Sequence, residues 1–330
     1  MPTVLVIGSN SFSGSDFVDH LLAETDYAVA GVSRSPEKSD LFLPYKKRRD
    51  LARFSFHQLD LNRDMSDLLA LLARLRPEYV VNFAAQSEVG PSWANPEHWF
   101  QTNAVAIAAL GNFLKDQKWL KRYVHISSPE VYGTCEGVVA EGHPMDPSTP
   151  YAASKAAGDL MLFTLVKNFD FPLVMIRATN VYGAHQQLFK IIPRSVIYLK
   201  SEKPIELHGG GTAVKSYIHI RDVSAGELAA MERGRSGEMY HFSPDVGVAV
   251  RDVVKQICSA MDKDFDRVTR TVEERLGQDK AYVIDSTKAR NELGWRPHIS
   301  LADGLARVVA WVEAEWPRIK NETLDYVHKR

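Results

Sequence analysis

The 330-residue chain is 45% hydrophobic and 25% charged, with a formal net charge of −1. That is the balance of a globular protein of one large or two modest domains, and it excludes a general pull onto nucleic acid or an anionic membrane. No apolar run reaches the roughly 20 residues that a membrane helix needs. The two cysteines, Cys135 and Cys258, belong to no CxxC or Cys/His cluster. Neither a disulfide framework nor a metal site is expected, and the expected setting is cytoplasmic. The opening MPTVLVIGSN has no basic segment followed by a long apolar one, so it does not read as a signal peptide.

Thr3–Ile7 predicts a buried strand, Ser15–Leu22 a helix and Ala28–Val32 a second strand, before a polar stretch from Ser33 to Asp50. Phe54–Leu59 predicts a third strand, Met65–Leu75 a helix and Tyr79–Phe83 a fourth strand. Trp99–Leu114 follows as a helix, Arg122–Ser127 as a fifth strand, Pro150–Asn168 as a helix and Pro172–Arg177 as a sixth strand. Strands alternating with helices imply crossover units and a parallel sheet. The fold class is therefore α/β: a doubly wound, Rossmann-type parallel sheet with a smaller mixed α/β domain. The first domain is expected over residues 1–180, with a segment near 210–240 returning to it, and the second over 181–330. Thr149 and Pro150 supply N-cap and first-turn signals. Ser300 and Asp303 open a last helix whose Leu301, Leu305, Val308, Val309 and Val312 share one face.

Gly8-Ser-Asn-Ser-Phe-Ser-Gly14 lies between the first strand and the first helix. A dinucleotide pyrophosphate needs a tight turn there, with backbone N–H groups and a helix N-terminus facing it. Gly8 suits the turn and Gly14 the close packing of helix on strand; Ser11 stands where a middle glycine is usual and offers a hydroxyl. The alternative is a merely structural turn. Asp60 ends the third strand, where it can accept from an adenine amino group, and Asn82-Phe-Ala-Ala-Gln86 ends the fourth with small residues. At the end of the second strand, Gly31-Val-Ser-Arg-Ser35 has no acid to hold a ribose 2′-hydroxyl. Ser33 and Arg34 suit a 2′-phosphate instead, which favours NADP over NAD.

Tyr151-Ala-Ala-Ser-Lys155 places a phenol and an ammonium on one helix face. The lysine is expected to lower the phenol's pKa and make Tyr151 an acid or base for a hydroxyl. Upstream stands Ser127-Ser-Pro-Glu-Val-Tyr-Gly133. If that segment is extended, Ser128 and Glu130 point to one side. Ser128 then hydrogen-bonds the hydroxyl that Tyr151 deprotonates, and Glu130 takes a proton from a carbon made acidic by a neighbouring ketone. A solvated loop glutamate is the plainer alternative.

These motifs resemble those of the extended short-chain dehydrogenases/reductases, in the nucleotide-sugar epimerase/dehydratase group. The resemblance spans nearly the whole chain. It continues through Arg177-Ala-Thr-Asn-Val-Tyr-Gly183, Gly209-Gly-Gly-Thr-Ala-Val-Lys215, Tyr217-Ile-His-Ile-Arg-Asp222, Arg275-Leu-Gly-Gln-Asp279, Tyr282-Val-Ile-Asp285 and Leu293-Gly-Trp-Arg-Pro297. Within the group, Ser128–Gly133 and the Arg275–Tyr282 run are most similar to the hexose 4,6-dehydratases. The resemblance implies an NDP-hexose 4,6-dehydratase that moves a hydride from C4 to C6 through NADP or NAD. Ser128, Glu130, Tyr151 and Lys155 are then catalytic. Gly8, Ser11, Phe12, Gly14, Ser33, Arg34, Asp60, Leu61, Ala84, Ala85, Gln86, Asn103, Tyr151 and Lys155 hold the cofactor, and Ser87, Asn180, Lys190, Lys215 and Arg275 hold the nucleotide sugar.

Two departures from the dehydratase pattern stand out: Pro129 where an aspartate is usual, and Lys215 where an arginine is usual. Lysine meets a pyrophosphate as a point charge, without the bidentate fork. The rival readings are an NDP-sugar 4-epimerase, a UDP-glucuronate decarboxylase and, from another class, a cofactor-sensing binding protein with a decayed site. The resemblance also implies a homodimer, pairing the helices around Ala104–Leu114 (Ala104, Ala106, Ile107, Ala108, Ala109, Leu110) and after Tyr151 (Ala156, Ala157, Leu160, Met161, Leu162).

Overall fold

A computed structural model of the chain describes residues 1–244, 246–274 and 281–329. Seven strands form the central sheet: β1 (Thr3–Ile7), β2 (Ala28–Ser33), β3 (Phe54–Gln58), β4 (Tyr79–Asn82), β5 (Arg122–Ile126), β6 (Leu173–Ala178) and β7 (Glu238–Phe242). Every pairing is parallel, in the order β7-β6-β5-β4-β1-β2-β3. The order reverses at β1, so the ends of β1, β2 and β4 open a crevice, the usual ligand site of a doubly wound sheet. The first six strands lie where the sequence pattern places them. β7 is an addition that follows a long excursion of the chain.

The strands alternate faces with a period of two. Val4 and Val6 of β1 pack with Phe17, Val18 and Leu21 of helix α1 (Phe12–Glu24), while Leu5 and Ile7 join the opposite cluster. That opposite cluster takes Leu68 and Leu72 from α2 (Met65–Leu75), Ile107 and Leu110 from α3 (Ala106–Leu114), and Leu162 and Leu165 from α4 (Pro150–Phe169). Helix α5 (Ile220–Arg233) returns to the α1 face with Ala229, Ala230 and Met231. A separate apolar cluster joins Val196 of the helix Ile191–Lys200, Val254 of Val250–Ala260, and Leu305, Val308 and Val312 of Leu301–Ala314. Ser300 caps the last of these, accepting from the Asp303 N–H at 3.1 Å. Among the described residues no helix is long and apolar enough to cross a membrane.

The expected helix Trp99–Leu114 is interrupted. Pro96–Phe100 is α-helical, Gln101–Val105 is a π-turn and α3 resumes at Ala106. The widened turn carries Asn103, and Gly158 of α4 sits so close to the Asn103 carbonyl that a Cβ there would overlap it. π-bulges of this kind often accompany functional sites.

Candidate active site

The crevice at the sheet switch point is a cavity of about 300 Å³. Gly8 forms its floor at φ +86°, and a Cβ on it would lie 2.7 Å from the Ala84 nitrogen, so no other residue fits this turn without displacing the backbone after β4. Gly14 abuts the Gly8 carbonyl. This close approach of turn, helix start and strand end is a cradle that a dinucleotide pyrophosphate fits. Ser11, Ser33, Arg34, Asp60, Leu61, Ala84, Ala85 and Gln86 line the same cavity.

Several of these side chains already have structural work. Ser11 caps α1, its hydroxyl accepting from the Gly14 N–H at 3.0 Å, and Ser33 accepts from the Asn10 N–H at 2.9 Å. Asp60 accepts from the Asn62 N–H at 2.8 Å. Phe12 is buried in the first turn of α1. Asn103 is also buried; its amide accepts from the Gln86 N–H and donates to the Gln86 carbonyl and the Ser154 hydroxyl, each at 2.9 Å. It therefore clamps the Gln86 backbone, at the cavity wall, from behind.

The segment after Ser128 is not extended. Pro129–Tyr132 forms a 3-10 turn, with Ser128 as its cap accepting from the Glu130 N–H at 3.2 Å. The turn still brings Ser128 and Glu130 to Tyr151, near the start of α4. The Ser128 hydroxyl hydrogen-bonds the phenol, and the Glu130 carboxylate acts on it electrostatically. The expected lowering of the Tyr151 pKa is not what the structure shows. Burial raises it, the Glu130 charge raises it further, and the Ser128 hydrogen bond only partly opposes them.

Lys155 lies one helical turn beyond, fully enclosed, and donates to the Ile126 carbonyl at 2.8 Å, with His125 Nε2 at 3.4 Å. Burial brings its pKa down to about 8; Asp159 raises it and Arg177 lowers it. Beneath it runs a closed polar network. Asp159 accepts from Ser127 at 2.5 Å and from Arg177 at 2.8 Å, and the Arg177 guanidinium lies 4.5 Å over the Tyr132 ring. His125 is held neutral by burial and by the charges of Lys155 and Arg177.

A second cavity, of about 270 Å³, is lined by Asn180, Lys190 and Lys215, so three of the expected sugar-nucleotide residues converge. Ser87 does not join them; it lines the first cavity. Arg275 lies outside the described residues. Lys190 pairs at 2.7 Å with Glu88, on the wall of the first cavity, so the two cavities meet at this ion pair.

The family description "GDP-mannose 4,6 dehydratase" matches residues 5–308. The chain belongs to this family. A dTDP-glucose 4,6-dehydratase of Streptomyces niveus is 31% identical, over 96% of this chain and 96% of that one, and the enzyme of the same name from Neisseria meningitidis is 29% identical over 94% and 93%. Among solved structures, DesIV, a dTDP-glucose 4,6-dehydratase from Streptomyces venezuelae with NAD and TYD bound, superposes with a TM-score of 0.87 at 31% identity, covering 96% of this chain and 98% of that one. A UDP-glucuronic acid 4-epimerase from Bacillus cereus, in complex with UDP-glucuronic acid and NAD, gives 0.86 at 26%, over 94% and 99%. Family membership makes this chain an NAD-dependent enzyme of the 4,6-dehydratase type.

For a member of this family, the structure adds residues that the sequence reading passed over. Arg194 lines the second cavity; it stands one helical turn after Lys190, a spacing that the sequence does carry. Lys38 joins Arg34 in the first cavity from within the polar stretch after β2. Asp159 follows Tyr151 and Lys155 at successive four-residue steps along α4, on the same face.

Proposed function

We propose that this family member makes a 4-keto-6-deoxy sugar nucleotide from an NDP-hexose, through Ser128, Glu130, Tyr151 and Lys155. The observation that supports this reading best is the convergence of Ser128 and Glu130 on the Tyr151 phenol. A 4-epimerase needs the phenol but has no use for a carboxylate beside it. The dinucleotide, when bound in the Gly8 crevice, supplies the hydride acceptor at C4 and the donor at C6. Tyr151, acting as the phenolate, takes the C4 hydroxyl proton while Ser128 orients that hydroxyl, and Lys155 is the nearest cation on the same helix. Glu130 takes the C5 proton once the 4-ketone acidifies it. With Pro129 in place of an acid, Glu130 also delivers a proton to the C6 oxygen, which leaves as water. As the hydride returns to C6, C5 takes a proton from solvent by way of Glu130 and Tyr151 gives its proton back to solvent, so the net change is the loss of one water.

Asn180, Lys190, Lys215 and Arg275 are the proposed ligands of the nucleotide diphosphate, with Ser87 nearer the cofactor. Gly8, Ser11, Gly14, Asp60, Leu61 and Ala84–Gln86 are the proposed cradle of the dinucleotide, with Phe12 and Asn103 supporting it. NADP is the proposed preference, because the end of β2 offers Ser33, Arg34 and Lys38 and no acid. The proposed division places the cofactor domain at residues 1–180 plus the segment near 210–240, and the sugar-nucleotide domain in the rest of 181–330. A cytoplasmic homodimer is proposed as well. Ile107, Leu110 and Leu162 pack inward, but Val105 and Leu160 stay more than half exposed on the two expected helices, beside the partly exposed Phe100. Sedimentation as a concentration-independent monomer refutes the dimer. The deciding experiment is a panel of NDP-sugars with NAD and NADP: a 4-keto-6-deoxy product supports the reading, and C4-inverted or decarboxylated products overturn it.

A further inference from the structure

The C-terminal segment reaches back across the cofactor crevice. Its Lys329 carbonyl accepts from the Gln86 amide at 2.6 Å and from the Arg34 guanidinium at 3.0 Å. Gln86 follows β4 and Arg34 follows β2, the two neighbours of β1, so this one carbonyl bridges the crevice from wall to wall above the Gly8 turn. The Lys329 ammonium donates to the Ser35 hydroxyl at 3.3 Å. Next to it the His328 ring stacks on Trp99 (5.1 Å, 9°) and on His98 (5.2 Å, 16°), with its Nε2 3.0 Å from His98 Nδ1. Tyr326 sets its ring against the edge of Phe189 at 5.6 Å. Tyr326, Val327 and Lys329 line the same cavity as Gly8, Asp60 and Ala84. The segment therefore forms part of the cavity wall.

We infer that Asp325–Lys329 is a third wall of the dinucleotide site, a strap that holds the cofactor in once it is bound. The inference rests on the dehydratase reading for its purpose. A cycle that returns the hydride to its own product leaves the cofactor unchanged, so turnover never requires its release. Anchoring through the His328 stack fixes the strap at a point outside the crevice. A bound dinucleotide then leaves only when the Lys329 bridge opens.

The test is the dissociation rate of NADH and NADPH, read by nucleotide fluorescence in stopped-flow displacement. Three forms of the chain are compared: wild type, a form ending at Leu324, and His328→Ala, which keeps the length and loosens the anchor. The expected result is an off-rate about 10-fold higher in the shortened form and intermediate in His328→Ala, since interface changes act mainly through dissociation. An unchanged off-rate in both variants overturns the inference. So does tighter binding on shortening, which makes the segment a competitor of the dinucleotide. The readout needs no sugar substrate. A missing 4-keto-6-deoxy product therefore counts against the dehydratase reading alone, and an unchanged off-rate counts against the strap alone.

Discussion

Asp159 and Arg177 form an ion pair at 2.8 Å with both side chains fully buried. Asp159 also accepts from Ser127 at 2.5 Å, so it ties helix α4 to the ends of β5 and β6 directly beneath Lys155. Removing one partner leaves the other charge buried and uncompensated, a loss of about 3–5 kcal/mol. Asp159→Ala is expected to destabilise the fold by that amount. Chemical denaturation checks it, and a change below about 1 kcal/mol contradicts the argument.

Tyr151→Phe removes the phenolic proton carrier and keeps the ring. Turnover is expected to fall by about 10²–10⁴-fold. Cofactor affinity should stay near wild type, because the ring that Phe keeps supplies the packing and only the proton-transferring hydroxyl is lost. Steady-state kinetics beside a fluorescence titration separate the two, and turnover near the wild-type rate removes Tyr151 from the mechanism.

Glu130→Gln is expected to split oxidation from elimination. The amide keeps the shape but cannot take the C5 proton, so reduced nicotinamide absorbance should build up with substrate. Formation of the 4-keto-6-deoxy product should fall by about 10²-fold or more, and C5 exchange in heavy water should fall with it. Because Pro129 offers no acid, nothing beside Glu130 in the turn can take over the proton at C6. Unimpaired product formation makes Glu130 a bystander and favours epimerisation.

Lys155, brought down to about 8 by burial, is expected to set the alkaline side of the pH profile. Burial lowers its pKa from 10.5, so the ammonium is present below pH 8 and is lost as pH rises through that value. The groups around it are Asp159, which raises its pKa, Arg177, which lowers it, and the neutral His125. kcat/KM is expected to decline above about pH 8, and Asp159→Asn should move that limb to lower pH. A profile flat to pH 10 shows that the Lys155 charge is not required.

Six of the seven sheet strands were legible because β1 to β6 are short runs rich in β-branched or aromatic residues, bounded by turns. β7, Glu-Met-Tyr-His-Phe, hides the signal because it has no β-branched residue and follows a long excursion of the chain; its buried His241 is hydrogen-bonded to the Tyr132 hydroxyl at 2.7 Å. The placement of Tyr151 and Lys155 on one face of α4 was legible from their spacing. Their electrostatics were not, because burial of the phenol and the aim of Lys155 at the Ile126 carbonyl depend on the sheet above which α4 is packed. The π-turn at Gln101–Val105 has no local signal, since it answers to Gly158, more than fifty residues away in the chain.

The late arrival of β7 has a cost during biosynthesis. About sixty residues separate the end of β6 from the start of β7, which is about 3–12 s of ribosomal elongation. Throughout that interval β6 is an open edge carrying the apolar Val174, Met175 and Ile176, the kind of strand that recruits a second nascent chain. Release at about residue 180 would make the exposure permanent. A fragment ending there should therefore collect in inclusion bodies, while the full-length chain escapes by closing its own sheet with Tyr240 and Phe242.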